Sequence, residues 1–286
     1  MSKKLCIVSV HAPSEYGEKW YELQREFVFK NTTCDFEYKI ILNGVNANDF
    51  RDEDIKIVND ENIGHAPALA QAIEYFRASG HDACLILDSD CFPIKRGWHE
   101  ILIPQMKAWG KPMAAVIRTE NLDLYPHPCA FLILTEGLSE DRFEFQKGEA
   151  VNLLGEIFED VGSRMTGAYD KVFPLIRTNV INVHPMAAGI YHHLFYHQHA
   201  ASRDFNCRVI DRYHLHDHWY QRDNQLEHAT LLQQRLFDDP ERFINYLCGY
   251  AEPTASRYIK GLPARRLKTV FSSIIPQILR DRFSQK

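Results

Sequence analysis

Two carboxylates one residue apart, Asp88 and Asp90, end an uninterrupted apolar run, Ala83 to Leu87. Side chains of this type and spacing can hold a hard divalent cation, which in turn grips phosphate oxygens. A second acidic pair, Glu159-Asp160, lies before Gly162 and follows Val151, Leu154, Ile157 and Phe158. A carboxylate there can take a proton from a hydroxyl as general base. A third concentration is histidine: eight of the 14 His residues fall at 184, 192, 193, 197, 199, 214, 216 and 218. A neutral imidazole is a common metal ligand. His214, His216 and His218 would share one face of a strand, which suits a zinc site.

The elements that must position these groups follow from pattern. Ala83 to Leu87 is a short continuous apolar run, as in a strand covered on both faces. In open α/β sheets, ligands bind outside the carboxyl ends of the strands, where Asp88 and Asp90 would sit. Strands are expected at Lys4–Val10, Glu37–Leu42, Ile55–Val58, Met113–Arg118 and Cys129–Thr135. Helices are expected from Trp20 to Lys30, where Trp20, Leu23 and Phe27 recur at helical spacing, from Pro67 to Ala78, and from Gly97 to Trp109. Glu149 to Asp160 reads largely as a helix, and Asn224–Phe237 and Glu241–Gly249 as helices. Strands alternating with helices predict an α/β fold with a mixed, mostly parallel central sheet, helices on both sides and a C-terminal helical appendage. The division expected is one domain over 1–222, split into halves at 1–125 and 126–222, with the appendage over 223–286.

Bulk properties exclude several classes. The chain of 286 residues is 45% hydrophobic and 25% charged, ordinary for a globular protein. A net charge of −5 gives no pull toward nucleic acid, so none is expected as a partner. The seven Cys are dispersed with no Cys-x-x-Cys pair, which suggests unpaired thiols in a reducing compartment. No signal-peptide pattern and no apolar stretch long enough to span a bilayer is read from the sequence. A protein of the cytoplasm, either free or peripheral on the cytosolic membrane face, is expected. Residues 260–286 carry seven Lys/Arg against one acid, and an apolar stripe runs from Leu267 to Leu279 at helical spacing. A basic amphipathic helix over 264–283 can lie on an anionic membrane or cover the body of the protein.

The order Ile55-Lys56-Ile57-Val58, Asn62-Ile63-Gly64, Ala68 to Phe76, Leu85 to Asp90, Gly97-Trp98 resembles the family 2 glycosyltransferases of the GT-A fold, especially the bacterial rhamnosyltransferase-like members. The resemblance covers roughly residues 4–205 and is densest at 57–101. It implies a metal-dependent, inverting transfer of a sugar from a nucleotide-diphospho-sugar donor to a glycan or glycolipid acceptor. Mn²⁺ or Mg²⁺ would be the cofactor. Asp88 is then placed near the ribose or metal, and Asp90 on the metal. The nucleotide would contact Val10, His11 and Ala12 after the first strand, Asn43 after the second, then Asn62, Ser89 and Arg203. Asp160 would be the base, with Glu159 in reserve. Tyr196-His197-Gln198-His199-Ala200-Ala201-Ser202-Arg203 resembles the family's late Tyr-His-His-Gly-x-Gly-Ser-Arg stretch. That makes His197 the first and His199 the second candidate to complete the metal shell, with Tyr191-His192-His193 as a rival alignment. Two other readings stand beside it. One is a metal hydrolase built on His214, His216 and His218. The other is a protein that binds nucleotide sugar without turnover.

Overall fold

The computed structural model describes residues 5–121, 125–139, 145–151, 157–183, 187–199 and 232–250. The first strand, β1 (Leu5–His11), is entirely buried and lies in the interior of a seven-stranded sheet. The other strands are β2 (Phe36–Asn43), β3 (Ile55–Asn59), β4 (Ala83–Asp88), β6 (Met113–Val116), β7 (His127–Leu134) and β10 (Val172–Leu175), in the order β10-β6-β7-β4-β1-β2-β3, so that β1 pairs with β2 and β4. Only β7 runs antiparallel to its neighbours, so the sheet is mixed and mostly parallel, as the alternation of patterns predicts.

Both faces of the sheet are covered. On one face, α1 (Gly17–Asn31) and α3 (Trp98–Ala108) pack Tyr21, Val28, Trp98, Leu102 and Met106 against Ile7, Ile40 and Leu85. On the other, α2 (His65–Ser79) packs Leu69, Ile73 and Phe76 against Val8, Ile41 and Ile86. Successive strand residues point to opposite faces, so Ile7 and Val8 belong to different cores. Removing side chains of this size from water contributes about 1.5–3 kcal/mol each.

The predicted apolar face of α1 does not meet the sheet. Trp20, Leu23 and Phe27 face outward into a third cluster, where a helix over 232–238 (α4) and α5 (Pro240–Leu247) supply Leu232, Leu236, Phe243 and Leu247. Tyr21, Gln24 and Val28 are the buried sheet-side row. The helix is thus buried on two sides, which its mixed periodicity hides.

Three short strands missing from the sequence reading form a second sheet: β5 (Cys91–Pro93), β11 (Gly189–Tyr191) and β12 (Phe195–His197), in the order β11-β12-β5. The helix expected over Glu149–Asp160 is corrected. Lys147–Val151 (β8) and Ile157–Val161 (β9) form an antiparallel hairpin, with Gly148 opposite Asp160 and Glu149 opposite Glu159. The apolar spacing there imitates a helix, but the backbone hydrogen bonds run across a ladder. Ser163–Lys171 follows as a 3₁₀ helix. Among the described residues no helix is long and apolar enough to cross a membrane. Cys6, Cys34, Cys84, Cys91, Cys129 and Cys248 are unpaired thiols.

Candidate metal and donor site

β4 ends at Asp88, and the chain turns through Ser89 and Asp90 into β5. The turn is fixed from below. Gln24 of α1 donates its Nε2 to the carbonyls of Asp88 (2.8 Å) and Cys91 (2.7 Å), and its Oε1 accepts from the Tyr38 hydroxyl (2.9 Å). Ser9 Oγ donates to the Leu87 carbonyl at 3.3 Å. One buried amide on a helix therefore sets the backbone that aims both carboxylates.

The second sheet brings the histidine. β12 pairs antiparallel with β5, with His197 opposite Cys91, and the Gln198 N–H donates to the Asp90 carbonyl at 3.2 Å. His197 Nε2 then lies 3.4 Å from Asp90 Oδ1. One ligand atom from each of Asp88, Asp90 and His197 falls within 4.8 Å of the others. Two carboxylates and one imidazole are the oxygen and nitrogen donors that Mn²⁺ and related divalent cations accept. The donor set fits such an ion.

The three residues open on a cavity of about 580 Å³ at the carboxyl edge of the parallel strands. Val10, Ala12, Asn43, Asn62, Asp88, Ser89 and Asp90 line one side of it, and Arg118, His127, Lys147, Asp160 and His199 also line it. A more open cleft of about 640 Å³ along the outer side of α2 holds no comparable group. Its Tyr75 hydroxyl donates to Glu37 at 2.6 Å, and Lys56 lies over the Tyr75 ring.

His11 is corrected: it does not line the cavity. One residue along the strand from Val10, it points to the opposite face, packed edge-on against Tyr21 and Phe50. Burial lowers its pKa to about 4, against a smaller opposing effect of a Gln24 hydrogen bond, so it is a neutral core residue. Asn43 lines the cavity, but its amide is already engaged by the loop that follows β3. His199 stands outside the three-residue group. Its Nε2 meets the Tyr191 hydroxyl at 2.9 Å, its φ of 68° is left-handed, and burial together with the neighbouring His197 holds it neutral. His192 and His193 occupy the β11–β12 turn, where His193 is exposed and His192 Nε2 contacts Gln105.

Asp160 sits on β9, facing the cavity, while Glu159 faces solvent on the other side of the strand. Arg118 donates to Asp160 Oδ2 at 2.6 Å, the Tyr125 hydroxyl donates to the same oxygen at 2.5 Å, and the Val161 N–H reaches Oδ1 at 2.8 Å. Burial alone would raise this carboxyl's pKa, but Arg118, His127 and Tyr125 outweigh it and hold the pKa below the usual range. Asp88 is similar in direction: burial opposes ionisation, and His65 with the more distant His197 and His127 overcomes it. Arg203, the trio His214, His216 and His218, and the 264–283 segment lie outside the described residues.

Sequence reasoning missed Gln24, His65, Arg118, Tyr125 and His127. Arg118 had a signal: a cation standing just past the fully apolar strand Met113–Val116, the same abrupt break that marks Asp88.

No protein-family model matches the chain, and no curated protein is significantly similar to it. Among solved structures, it is similar to the galactosyltransferase LgtC in complex with donor and acceptor sugar analogs, at 13% identity over 59% of this chain and 73% of that one, TM-score 0.38. It is similar to the mannosyltransferase PcManGT from Pyrobaculum calidifontis in complex with GDP-Man and Mn²⁺, at 10% identity over 99% of this chain and 81% of that one, TM-score 0.43. A third is A197 from STIV, at 12% identity over 68% and 94%, TM-score 0.35. All three likenesses are too loose to assign this chain an activity.

Proposed function

We propose that this chain is a metal-dependent glycosyltransferase of the GT-A type, taking sugar from a nucleotide-diphospho-sugar to a glycan or glycolipid hydroxyl with inversion. The observation that carries the reading is the meeting of Asp88, Asp90 and His197 at the carboxyl edge of the parallel strands, open to a 580 Å³ cavity. Asp88 ends β4 of the large sheet, Asp90 stands in the turn just before β5, and His197 ends β12 beside β5 in the small sheet, so the site exists only when both sheets are assembled.

Each group has a part under this reading. Asp88, Asp90 and His197 hold Mn²⁺ or Mg²⁺, which when bound would neutralise charge on the departing diphosphate. Val10, Ala12 and Ser89 form the wall beside the nucleoside, with Asn43 and Asn62 behind it. Asp160, across the cavity, accepts the acceptor's proton. Arg118 and Tyr125 keep it ionised and aimed, and the same contacts lower its basicity, so its contribution belongs at the low end of the usual 10²–10⁴-fold.

A thermal-shift screen of UDP, GDP, TDP and CMP with and without Mn²⁺ tests the reading. A ligand at 100 times its Kd adds about 2.7 kcal/mol to folded-state stability. One nucleotide diphosphate should stabilise the protein only with Mn²⁺, and Asp90→Ala should abolish the effect. No stabilisation by any nucleotide would refute the reading. Binding with no sugar release from the cognate donor would leave a binding protein.

A further inference from the structure

We infer that His65 is a positioning residue for Asp88, and that Asn43 serves this device by clamping the loop that carries His65. The inference rests on the proposed metal site and deepens it.

His65 opens α2, directly after Asn62-Ile63-Gly64. Its Nε2 donates to Asp88 Oδ1 at 2.7 Å. A carboxylate has two oxygens and turns readily about its terminal bond. An N–H fixed on one oxygen settles that rotation and presents the other oxygen in one direction. Ligand carboxylates are commonly oriented by such hydrogen bonds, and losing one costs about 10–100-fold in metal affinity. The backbone at Asp90 is held by other means, by Gln24 on the flanking carbonyls of Asp88 and Cys91 and by the Gln198 N–H on its own carbonyl. Asp88, at the last residue of its strand, takes its side-chain orientation from His65.

The imidazole must itself be held. The loop before it makes its bonds to Asn43, at the carboxyl end of β2. Asn43 Nδ2 donates to Asn62 Oδ1 (2.9 Å) and to the Gly64 carbonyl (3.3 Å), and Asn43 Oδ1 accepts from the Ile63 N–H (3.0 Å). Asn62 Oδ1 also accepts from the Gly64 N–H at 2.9 Å. Gly44 completes the fit: with φ of 77°, a Cβ there would stand 2.5 Å from the Asn62 nitrogen. The Asn43-Gly44 pair is therefore a seat for the loop. An amide used in both its donor and acceptor halves to pin backbone is poorly suited to read a nucleotide base as well.

The test is Mn²⁺ titration of the metal-free full-length protein, followed by electron paramagnetic resonance with Mn²⁺ alone. His65→Ala should weaken Mn²⁺ binding by about 10–100-fold. His65→Gln, whose amide can donate from nearly the same place, should recover most of the loss. Asn43→Ala should fall between the two, and a thermal melt of each variant reports on folding. Wild-type affinity in His65→Ala would overturn the inference while leaving the site intact. Equal loss in His65→Gln and His65→Ala would also overturn it, because the imidazole would then be a ligand itself. Failure of the wild-type protein to bind Mn²⁺ would instead remove the proposed site on which the inference stands.

Discussion

Asp88 and Asp160 face one cavity, yet their surroundings are of different kinds. Asp88 is partnered by an imidazole and stands beside a second carboxylate. Asp160 is partnered by a guanidinium and a phenol, with side chains of Asp160 and Arg118 only 12% and 5% exposed. A permanent cation against a carboxylate competes with a metal ion for it; the partner of Asp88 is an imidazole, which can give up its charge. Asp160 carries a permanent counter-charge, which no metal could displace without leaving Arg118 buried beside it. On the proposed reading the two walls separate cation binding from proton handling or anchoring, with the same residue type at the centre of each.

The comparison breaks most severely at Arg118. Removing one partner of a buried ion pair strands the other and costs about 3–5 kcal/mol. Arg118→Met should therefore lower the urea midpoint of unfolding strongly. A midpoint within error of wild type would mean that the Asp160 wall is not held by charge.

Asp160→Asn keeps the shape of the side chain and cannot take a proton. With a lowered basicity, the expected loss in sugar transfer is about 10²-fold, with donor binding nearly unchanged. A full rate with reduced stability would make Asp160 an anchor for Arg118 and move the base elsewhere.

A smaller effect follows from the pKa direction of Asp160. Its folded-state pKa lies below the unfolded value of about 3.9. The stability this supplies is present above the unfolded pKa and is lost as pH falls through the folded one. The difference in melting temperature between wild type and Asp160→Asn should be constant near neutrality and shrink below about pH 4. A difference that grows in acid would reverse the sign. Glu159→Gln, exposed on the far side of the hairpin, should change neither transfer nor stability measurably; a slow variant would move the base one residue back.

The sheet was legible in the sequence because its central strands are long apolar runs ended by turn residues. Asp88 and Asp90 were legible for the same reason, since two carboxylates interrupting Ala83–Leu87 mark a strand end. His197 could be reached only through resemblance, because β5, β11 and β12 have three residues each, too few to show a period. Glu149–Asp160 was misread because its apolar spacing fits a helix while its pairing partner lies across a hairpin. His11 was misplaced by a single step of strand alternation, which sends it to the core while Val10 and Ala12 reach the cavity. His65 and Gln24 gave no signal, as both act through long-range contacts with the Asp88 turn.

Mn²⁺ binding measured side by side in wild type, Asp90→Ala and Asp160→Asn tests the division of the cavity most directly. Asp90→Ala should lose Mn²⁺ binding while Asp160→Asn keeps wild-type affinity. If Asp160→Asn lost the metal and Asp90→Ala retained it, the two walls would have been assigned the wrong way round.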